Sequence, residues 1–261
     1  RASRAMCRAQ EHLYPLAPLL TPINEYFLEP EFRTKSMLQS FIEQPNSERG
    51  ISHIGNQRDK RGGVSIYLPE NLDASKPAPL IMTLHGGTGH GSDMLWSWLR
   101  EARSRGYIII SPTSQGDTWS MMGDDIDAPF LSKYLELAGQ QFNIDPTRIL
   151  LAGMSDGATY ALQTGLTSAN PFTHIAAFSG VLDPLISING QIEHAKNRKI
   201  YLVHGTRDWM FPIDMARMAD TQLKAAGADI TFREIKDLSH NFARAEVPRL
   251  LDWFSPPGDA P

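Results

Sequence analysis

The sequence predicts a three-layer α/β domain with a mostly parallel central sheet and helices on both faces. From Gly50 onward, short and nearly continuous apolar runs alternate with longer helix-like stretches. A strand that is buried on both faces needs such a run, and the alternation of strands and helices is typical of a parallel sheet. The predicted strands are Val64–Leu68, Leu80–Leu84, Tyr107–Ser111, Arg148–Ala152, His174–Ser179, Lys199–Val203 and Ile230–Ile235.

Helix-like stretches lie between or after these strands. Two of them are followed by Gly106 and Gly227, and glycine is the residue that most often ends a helix in the left-handed conformation. The connection 180–198 is too short for a substantial cap over the strand ends, so we expect no large cap domain. The predicted helices are Asp93–Arg105, Ala128–Phe142, Asp156–Thr167, Ile213–Ala226 and Asn241–Trp253.

Three segments are expected along the chain: an N-terminal arm (1–48), one α/β domain (49–254) and a disordered tail (255–261). Prolines interrupt the arm, where we expect at most one helix, at Phe32–Glu43. The arm is expected to pack across the domain or against a partner chain. A chain of 261 residues with 41% hydrophobic content can bury an ample core without disulfides.

Composition excludes several classes of function. The net charge is −4 and no basic stripe runs along the chain, so we expect no nucleic-acid partner. Cys7 is the single cysteine and no H-E-x-x-H motif occurs, so we expect neither metal nor cofactor. No apolar run is long enough for an integral membrane segment. A reducing, cytoplasmic location fits the cysteine content, and a homodimer is left open.

The strongest functional signal is a strand that runs directly into G-x-S-x-G and then into a helix. This run places Ser155 between Gly153 and Gly157. On such a tight turn the serine hydroxyl stands above the sheet edge, and the glycines make room for the crowded backbone. By itself the pattern also fits a glycine-rich turn with a capping serine. The flanking strand and helix favour Ser155 as a nucleophile.

A second glycine-rich loop, H-G-G at 85–87, follows the strand Leu80–Leu84. Backbone N–H groups can come close to a substrate oxygen where no Cβ intervenes. We therefore expect the N–H groups of Gly87 and Asp156 to form an oxyanion hole, with Thr88 beside it in contact with the substrate. A plain glycine-rich turn is the alternative for this loop taken alone.

His240 is the favoured base, because it lies in the loop after the last predicted strand, from which it can reach the nucleophile. Asp208 follows the preceding strand and is predicted to orient His240, which gives the chain order Ser, Asp, His. Trp209 lies in the same turn and is predicted to contact the substrate. Asp183, one strand earlier, is the rival acid, although a turn role before proline is favoured. The other histidines lie before the sheet, at strand ends or in other loops.

The motifs H-G-G, G-M-S-D-G, H-G-T-x-D and S-H together resemble the α/β-hydrolase superfamily over about residues 62–254. Within it, segments 124–131 and 142–148 are similar to the phospholipase/carboxylesterase and polyhydroxyalkanoate-depolymerase-like esterases. The resemblance implies a serine esterase with Ser155, Asp208 and His240 as its catalytic triad. It also implies that Trp119 lies near the acyl group, and a partly buried loop tryptophan is an equally good interpretation.

Asp156 departs from that resemblance, because such esterases usually have a neutral residue after the nucleophile. A carboxylate beside an oxyanion is unfavourable unless it points away or is paired, and we expect it to point outward. The expected substrates are small-molecule or lipid-like carboxylic esters with short acyl chains. A polyester depolymerase or a feruloyl/acetyl esterase is the alternative, and a serine peptidase or a non-catalytic domain of this fold is less favoured.

Overall fold

A computed structural model describes residues 2–43, 49–168 and 170–256. Within these residues the chain forms an eight-stranded sheet in the order β1-β2-β4-β3-β5-β6-β7-β8. β2 pairs antiparallel with both β1 and β4, and the remaining neighbours are parallel. The strands are β1 Gly50–Ile54, β2 Val64–Leu68, β3 Ala78–Leu84, β4 Ile108–Pro112, β5 Ile144–Met154, β6 His174–Phe178, β7 Lys199–Gly205 and β8 Asp229–Ile235.

The described helices pack on both faces of this sheet. One apolar cluster joins Met82 and Leu151 to α6, α7 and α9, while the other joins Ile81 and Leu150 to α1, α5 and α10. Successive strand residues therefore face opposite layers, as the period of a strand requires. The helices are α1 Ala2–Leu13, α2 Thr21–Tyr26, α3 Lys35–Glu43, α4 Gly91–Met94, α5 Leu99–Arg105, α6 Ala128–Gln141, α7 Asp156–Gly165, α8 Pro184–Ile188, α9 Ile213–Ala225 and α10 Val247–Phe254.

The predicted fold class is confirmed: a mostly parallel sheet is covered by helices on both faces. Every residue of β3, β4 and β6 is buried, which explains why these strands read as continuous apolar runs. The connection between β6 and β7 contains α8 and a short 3₁₀ turn, so no cap domain lies there.

Three element predictions were wrong in detail. β1 was not predicted, because it is a short edge strand whose residues are half-buried or exposed. The helix expected at Asp93–Arg105 is divided into α4, a 3₁₀ turn and α5. The last helix begins at Val247 rather than Asn241, because Pro248 occupies its first turn, where a missing N–H costs nothing.

The N-terminal segment, residues 2–43, contains three helices, so the expectation of at most one helix was wrong. The helix predicted at Phe32–Glu43 is α3, which begins at Lys35. Cys7, Ala17 and Phe27 are buried in the same apolar cluster as α5 and α10, so this segment is part of the packed domain. Ser255 is also buried and accepts a hydrogen bond from Arg148, so the residue at which the expected tail begins is packed. The predicted arm boundary at 48 and the tail residues 257–261 lie outside the described residues.

Candidate active site

Ser155 lies on the turn between β5 and α7 with φ 55° and ψ −122°, a backbone conformation that non-glycine residues rarely adopt. Its N–H donates to the carbonyl of Phe178 at 2.8 Å, which ties the turn to β6. A Cβ on Gly153 would collide with the backbone of Gly157, and a Cβ on Gly157 would collide with the carbonyl of His85. Both glycines are therefore required, and the turn holds the hydroxyl at the carboxyl edge of the sheet.

His240 connects the serine to an acid. Its Nε2 lies 2.9 Å from Ser155 Oγ, and its Nδ1 lies 2.8 Å from Asp208 Oδ2. A carboxylate can only accept, so Nδ1 carries the proton and Nε2 is left to accept from the serine hydroxyl. The structure thus brings together the predicted nucleophile, base and acid, although Asp208 lies 32 residues and Ser155 lies 85 residues before His240 in the chain.

Asp208 is held as an ionised group. Burial would raise its pKa, but N–H donors of Phe211 and Met210 and the His240 ring outweigh burial, so its pKa lies below the ordinary value. His204 also approaches this carboxylate, at 3.4 Å, but the same Nε2 lies 2.8 Å from the Phe211 carbonyl. The His204 ring therefore belongs to the turn around the acid, whereas the His240 ring faces Ser155.

The end of β7 and the loop that carries His240 are in close backbone contact. A Cβ on Gly205 would collide with the carbonyl of Leu238, and the N–H of Arg207 donates to that carbonyl at 3.0 Å. The glycine in H-G-T-x-D is thus the residue that allows the loop to sit directly above the acid. This contact fixes the distance between Asp208 and His240 independently of their side chains.

The loop after β3 passes beside the nucleophile, where a Cβ on Gly86 would be 3.3 Å from Ser155 Cβ. Gly87 is exposed, and in the described part of the chain neither its N–H nor that of Asp156 has a backbone acceptor. The Asp156 N–H belongs to the first turn of α7, whose donors have no intrahelical partner. Both N–H groups are therefore available to a substrate oxygen.

The Asp156 carboxylate does not point outward as expected. Its Oδ2 accepts from the Thr118 hydroxyl at 2.6 Å and would be 2.5 Å from a Cβ on Gly87. The carboxylate thus lies against the loop after β3, paired with a hydroxyl. The carboxylate is therefore accommodated beside the oxyanion site by pairing with a hydroxyl, and not by pointing away from the site.

The three predicted substrate contacts occupy different environments. Trp119 is 3% exposed, stacks on Tyr160 at 5.4 Å and donates to the His85 carbonyl at 2.7 Å. This buried position agrees with the alternative interpretation of Trp119 as a loop tryptophan, because neither ring face is free for an acyl group. Trp209 is 73% exposed, with its ring 6.3 Å from that of His240. Thr88 is exposed beside Gly87 and can be reached by a bound substrate.

Sequence reasoning missed the contribution of α1. A cavity of about 260 Å³ adjoins the loop after β3, and Ser3, Arg4 and Cys7 form one of its walls. Arg4 donates to the Thr88 carbonyl, next to Gly87. No local pattern marks a residue whose partner lies 84 positions away, so nothing in the sequence could have identified Arg4.

In residues 2–43, 49–168 and 170–256, His, Cys, Asp and Glu side chains form no group of three that could hold a metal ion. The helices of the same residues are too short or too polar to cross a bilayer.

The fold and the order of these residues define an α/β hydrolase: a serine on the turn after β5, an acid after β7 and a histidine after β8. A model of the phospholipase/carboxylesterase family matches residues 121–255, just over half of the chain. The chain therefore belongs to the phospholipase/carboxylesterase family. The loop at 85–89 lies before the matched segment, so its place in the site rests on the structure.

Similar proteins include several esterases. The chain is 28% identical over 151 residues to a bifunctional acetylxylan esterase/xylanase of Neocallimastix patriciarum, covering 56% of this chain and 21% of that protein. It is 26% identical over 181 residues to feruloyl esterase B of Talaromyces stipitatus, covering 59% and 50%. S-formylglutathione hydrolase from Staphylococcus aureus has the same fold, with a TM-score of 0.63, 16% identity and coverage of 78% and 98%. The chain thus spans about a fifth of the length of the acetylxylan esterase/xylanase and about half of the length of the feruloyl esterase.

Proposed function

We propose that this chain is a serine carboxylic ester hydrolase that works through an acyl-enzyme intermediate. The observation that carries the proposal is the continuous hydrogen-bond chain from Ser155 Oγ through His240 to Asp208, with bonds of 2.9 and 2.8 Å. Esterases among the similar proteins support the same class of reaction. The site's own geometry supports it independently, because these groups meet the requirements for activating a serine hydroxyl.

In this proposal, His240 Nε2 takes the Ser155 proton as Oγ attacks the ester carbonyl. The carbonyl oxygen becomes an oxyanion, which the N–H groups of Gly87 and Asp156 and the N-terminus of α7 stabilise. The C–O bond to the alcohol then breaks, and His240 delivers the proton to the leaving oxygen. Water, deprotonated by His240, then attacks the acyl carbonyl, the bond between this carbon and Oγ breaks, and His240 returns the proton to Ser155. Asp208 remains ionised and stabilises the imidazolium in both halves.

The test is a fluorophosphonate probe together with an aryl-ester assay. We expect the probe to label Ser155, and we expect Ser155→Ala to lose both labelling and hydrolysis. Ser239→Ala is the matched control, because this exposed serine lies next to His240 and should keep both properties. Labelling of a different serine, or hydrolysis that survives in Ser155→Ala, would refute the proposal. Turnover of an aminoacyl amide in preference to esters would favour a serine peptidase instead.

We further propose that short acyl chains are favoured. The connection between β6 and β7 contains the five-residue α8 and a short 3₁₀ turn, so it forms no lid. A small cavity of about 260 Å³ lies beside Gly87 and is also lined by Met154, which precedes the nucleophile. We expect kcat/KM to be higher for p-nitrophenyl acetate and butyrate than for the decanoate, and we expect the rate to rise smoothly with substrate concentration. A jump in rate at the micelle threshold would contradict this.

A feruloyl or acetyl esterase is the second candidate, and Trp209 favours it. The indole is exposed beside His240, where it could stack on an aromatic acyl group. We expect Trp209→Ala to raise KM for methyl ferulate by more than it raises KM for p-nitrophenyl acetate. Equal effects on the two substrates would leave the short-chain esterase as the better description.

A further inference from the structure

Three consecutive residues in the loop after β4 bind three different parts of the expected oxyanion hole. The Asp117 carbonyl accepts from the N–H of Thr88 at 2.7 Å. The Trp119 indole N–H donates to the His85 carbonyl at 2.7 Å, and the Thr118 hydroxyl donates to Asp156 Oδ2 at 2.6 Å. These contacts therefore hold both sides of Gly87 and the residue that supplies the other N–H.

The Thr118–Asp156 bond is the contact that connects the two expected donors to each other. Asp156 supplies one N–H from its backbone, and its carboxylate lies against Gly87, which supplies the other. A hydroxyl-to-carboxylate bond of this length is a strong, charge-assisted one. It leaves the carboxylate only a narrow range of positions, and it keeps the anion from turning toward a developing oxyanion.

The surroundings of this bond are rigid. His85 accepts the Ser114 N–H at its Nε2, and its Nδ1 lies 2.7 Å from the Gly86 carbonyl. Burial lowers the pKa of His85 to about 3, so the ring stays neutral and keeps this pattern. Arg61 also joins the two loops, donating to the Gly89 and Gly116 carbonyls at 2.7 Å each. The loops thus remain attached if the Thr118 hydroxyl is removed.

We infer that Thr118 and the Asp156 carboxylate are positioning residues for the oxyanion hole. Their hydrogen bond holds the N–H groups of Gly87 and Asp156 at the spacing that stabilises the transition state. The inference rests on the proposed function, because it needs a Ser155-dependent ester hydrolysis. Donors held in place before reaction cost no reorganisation when the charge develops, so loss of this bond should affect the chemical step more than substrate binding.

The experiment compares Thr118→Val, which removes the hydroxyl at similar volume, with Thr118→Ser, which keeps it. We expect Thr118→Val to lower kcat about tenfold to a hundredfold with little change in KM, because a misplaced group costs rate on this scale. Thr118→Ser should stay within about threefold of the wild type, since one retained hydrogen bond preserves the position. The affinity for a phenylboronic acid, whose adduct is tetrahedral, should fall in parallel with kcat/KM.

Ser120→Ala is the matched control in the same loop. Ser120 also donates to a carboxylate, Asp127 Oδ2 at 2.7 Å, but Asp127 directly precedes α6, binds the Gln115 N–H and is not in the site. We expect this variant to keep the kcat of the wild type, whatever its effect on thermal stability. An equal fall in kcat for Ser120→Ala would mean that general loosening of the loop is responsible, which would overturn the inference.

A double-mutant cycle distinguishes coupled from separate roles. Asp156→Ala should lower kcat about as much as Thr118→Val, and the double variant should be no worse than either, because one bond is lost in all three. Additive losses would overturn the inference, as would an unchanged kcat in Thr118→Val. Failure of the proposed function has a different signature, since it would appear as hydrolysis that persists in Ser155→Ala.

Discussion

The carboxyl edge of the sheet and the N-terminal segment are held in place by different kinds of contact. At the edge, the turns around Ser155 and His240 are fixed by backbone hydrogen bonds and by glycines that allow close backbone approach. In the N-terminal segment, side chains make the contacts, and their partner is often a buried charge. The first arrangement places reacting atoms accurately, whereas the second contributes mainly to stability.

Arg103 is the centre of the second arrangement. It is 1% exposed, its guanidinium lies 3.7 Å from the Phe41 ring centre, and it donates to Glu70 at 3.1 Å and to the Asn24 carbonyl at 3.4 Å. Residues from α2 and α3 of the N-terminal segment thus meet on one side chain of α5. Changes at the edge should therefore alter rate with little effect on stability, and changes around Arg103 should do the reverse.

The largest expected effects on rate come from the base and the acid. His240→Ala should reduce kcat nearly as much as Ser155→Ala, by roughly 10⁶-fold, because the groups act as a unit. Asp208→Asn should cost less, about 10⁴-fold, since it leaves the site's shape but favours the wrong tautomer. Thermal unfolding should show both variants folded.

Asp183→Asn is the control for the acid. Asp183 Oδ1 accepts the N–H of Leu185 at 2.8 Å and caps α8, a role that asparagine also performs. This variant should keep nearly full activity. If it loses more activity than Asp208→Asn, the acid has been assigned to the wrong strand.

Substitution of Arg103 is expected to change the stability of the fold and not the rate of the reaction. Arg103→Met should lower the free energy of unfolding by about 3–5 kcal/mol, because it leaves the partly buried Glu70 carboxylate without its cation. Urea unfolding measures this, and kcat of the folded fraction should be unchanged. Arg217→Met, on the exposed face of α9, removes a solvent-exposed ion pair with Glu234 and should have little effect. A comparable loss in the two variants would show that burial does not matter here.

Acid should weaken the fold through buried histidines. His174 is 4% exposed and burial lowers its pKa to about 4, so between about pH 4 and 6.5 the unfolded chain binds a proton that the folded chain does not. Stability therefore rises with pH in this window and is lost as pH falls through it. We expect a contribution of about 1–2 kcal/mol between pH 7 and 5.

The matched variant is His174→Phe, since the ring packs between the edges of Trp253 and Phe254 and has no need of its charge. Urea unfolding at pH 7 and pH 5 should show a smaller difference for this variant than for the wild type. An identical difference would mean that other groups account for the acid sensitivity.

The difference between the two regions also explains what the sequence could predict. The residues Ser155, Asp208 and His240 lie at strand ends, where motif and strand order together limit the possibilities. Six strands, β2 to β7, were predicted because their buried residues leave an apolar run. Of the two edge strands, β8 still shows an apolar pattern through its half-buried Ile230, Phe232 and Ile235, whereas the shorter β1 does not. The place of Trp119 was left open between core and acyl site, because an aromatic residue in a loop gives the same sequence pattern in either place.

The structure of the N-terminal segment was harder to predict from the sequence, and the reason is physical. Its helices are short and interrupted by prolines, and α2 has six residues, so local propensity alone could not support it. Its structure depends on Arg103 and Trp96, partners more than 50 positions away in the chain. No period or motif records a contact of that kind, so it becomes visible only in the folded chain.

Arg4 is the point at which the two regions meet, and it carries the smallest expected effect. Its guanidinium donates to the Thr88 carbonyl, and with Ser3 and Cys7 it forms a wall of the cavity beside Gly87. The bond is exposed and lies outside the chain of hydrogen bonds around Ser155, so its loss should disturb the cavity wall rather than the reacting atoms. An exposed hydrogen bond contributes about 0.5–1.5 kcal/mol, which corresponds to roughly twofold to tenfold in KM.

We therefore expect Arg4→Ala to raise KM for p-nitrophenyl butyrate within that range, with kcat unchanged. Arg8→Ala is the control, because Arg8 is exposed on the same helix and does not line this cavity. Both variants keep the helix and lose one positive charge, so a general electrostatic effect would appear equally in the two. A fall in kcat for Arg4→Ala would instead mean that α1 helps to hold the Gly87 loop. In that case the N-terminal segment would affect the rate of the reaction as well as the stability of the fold.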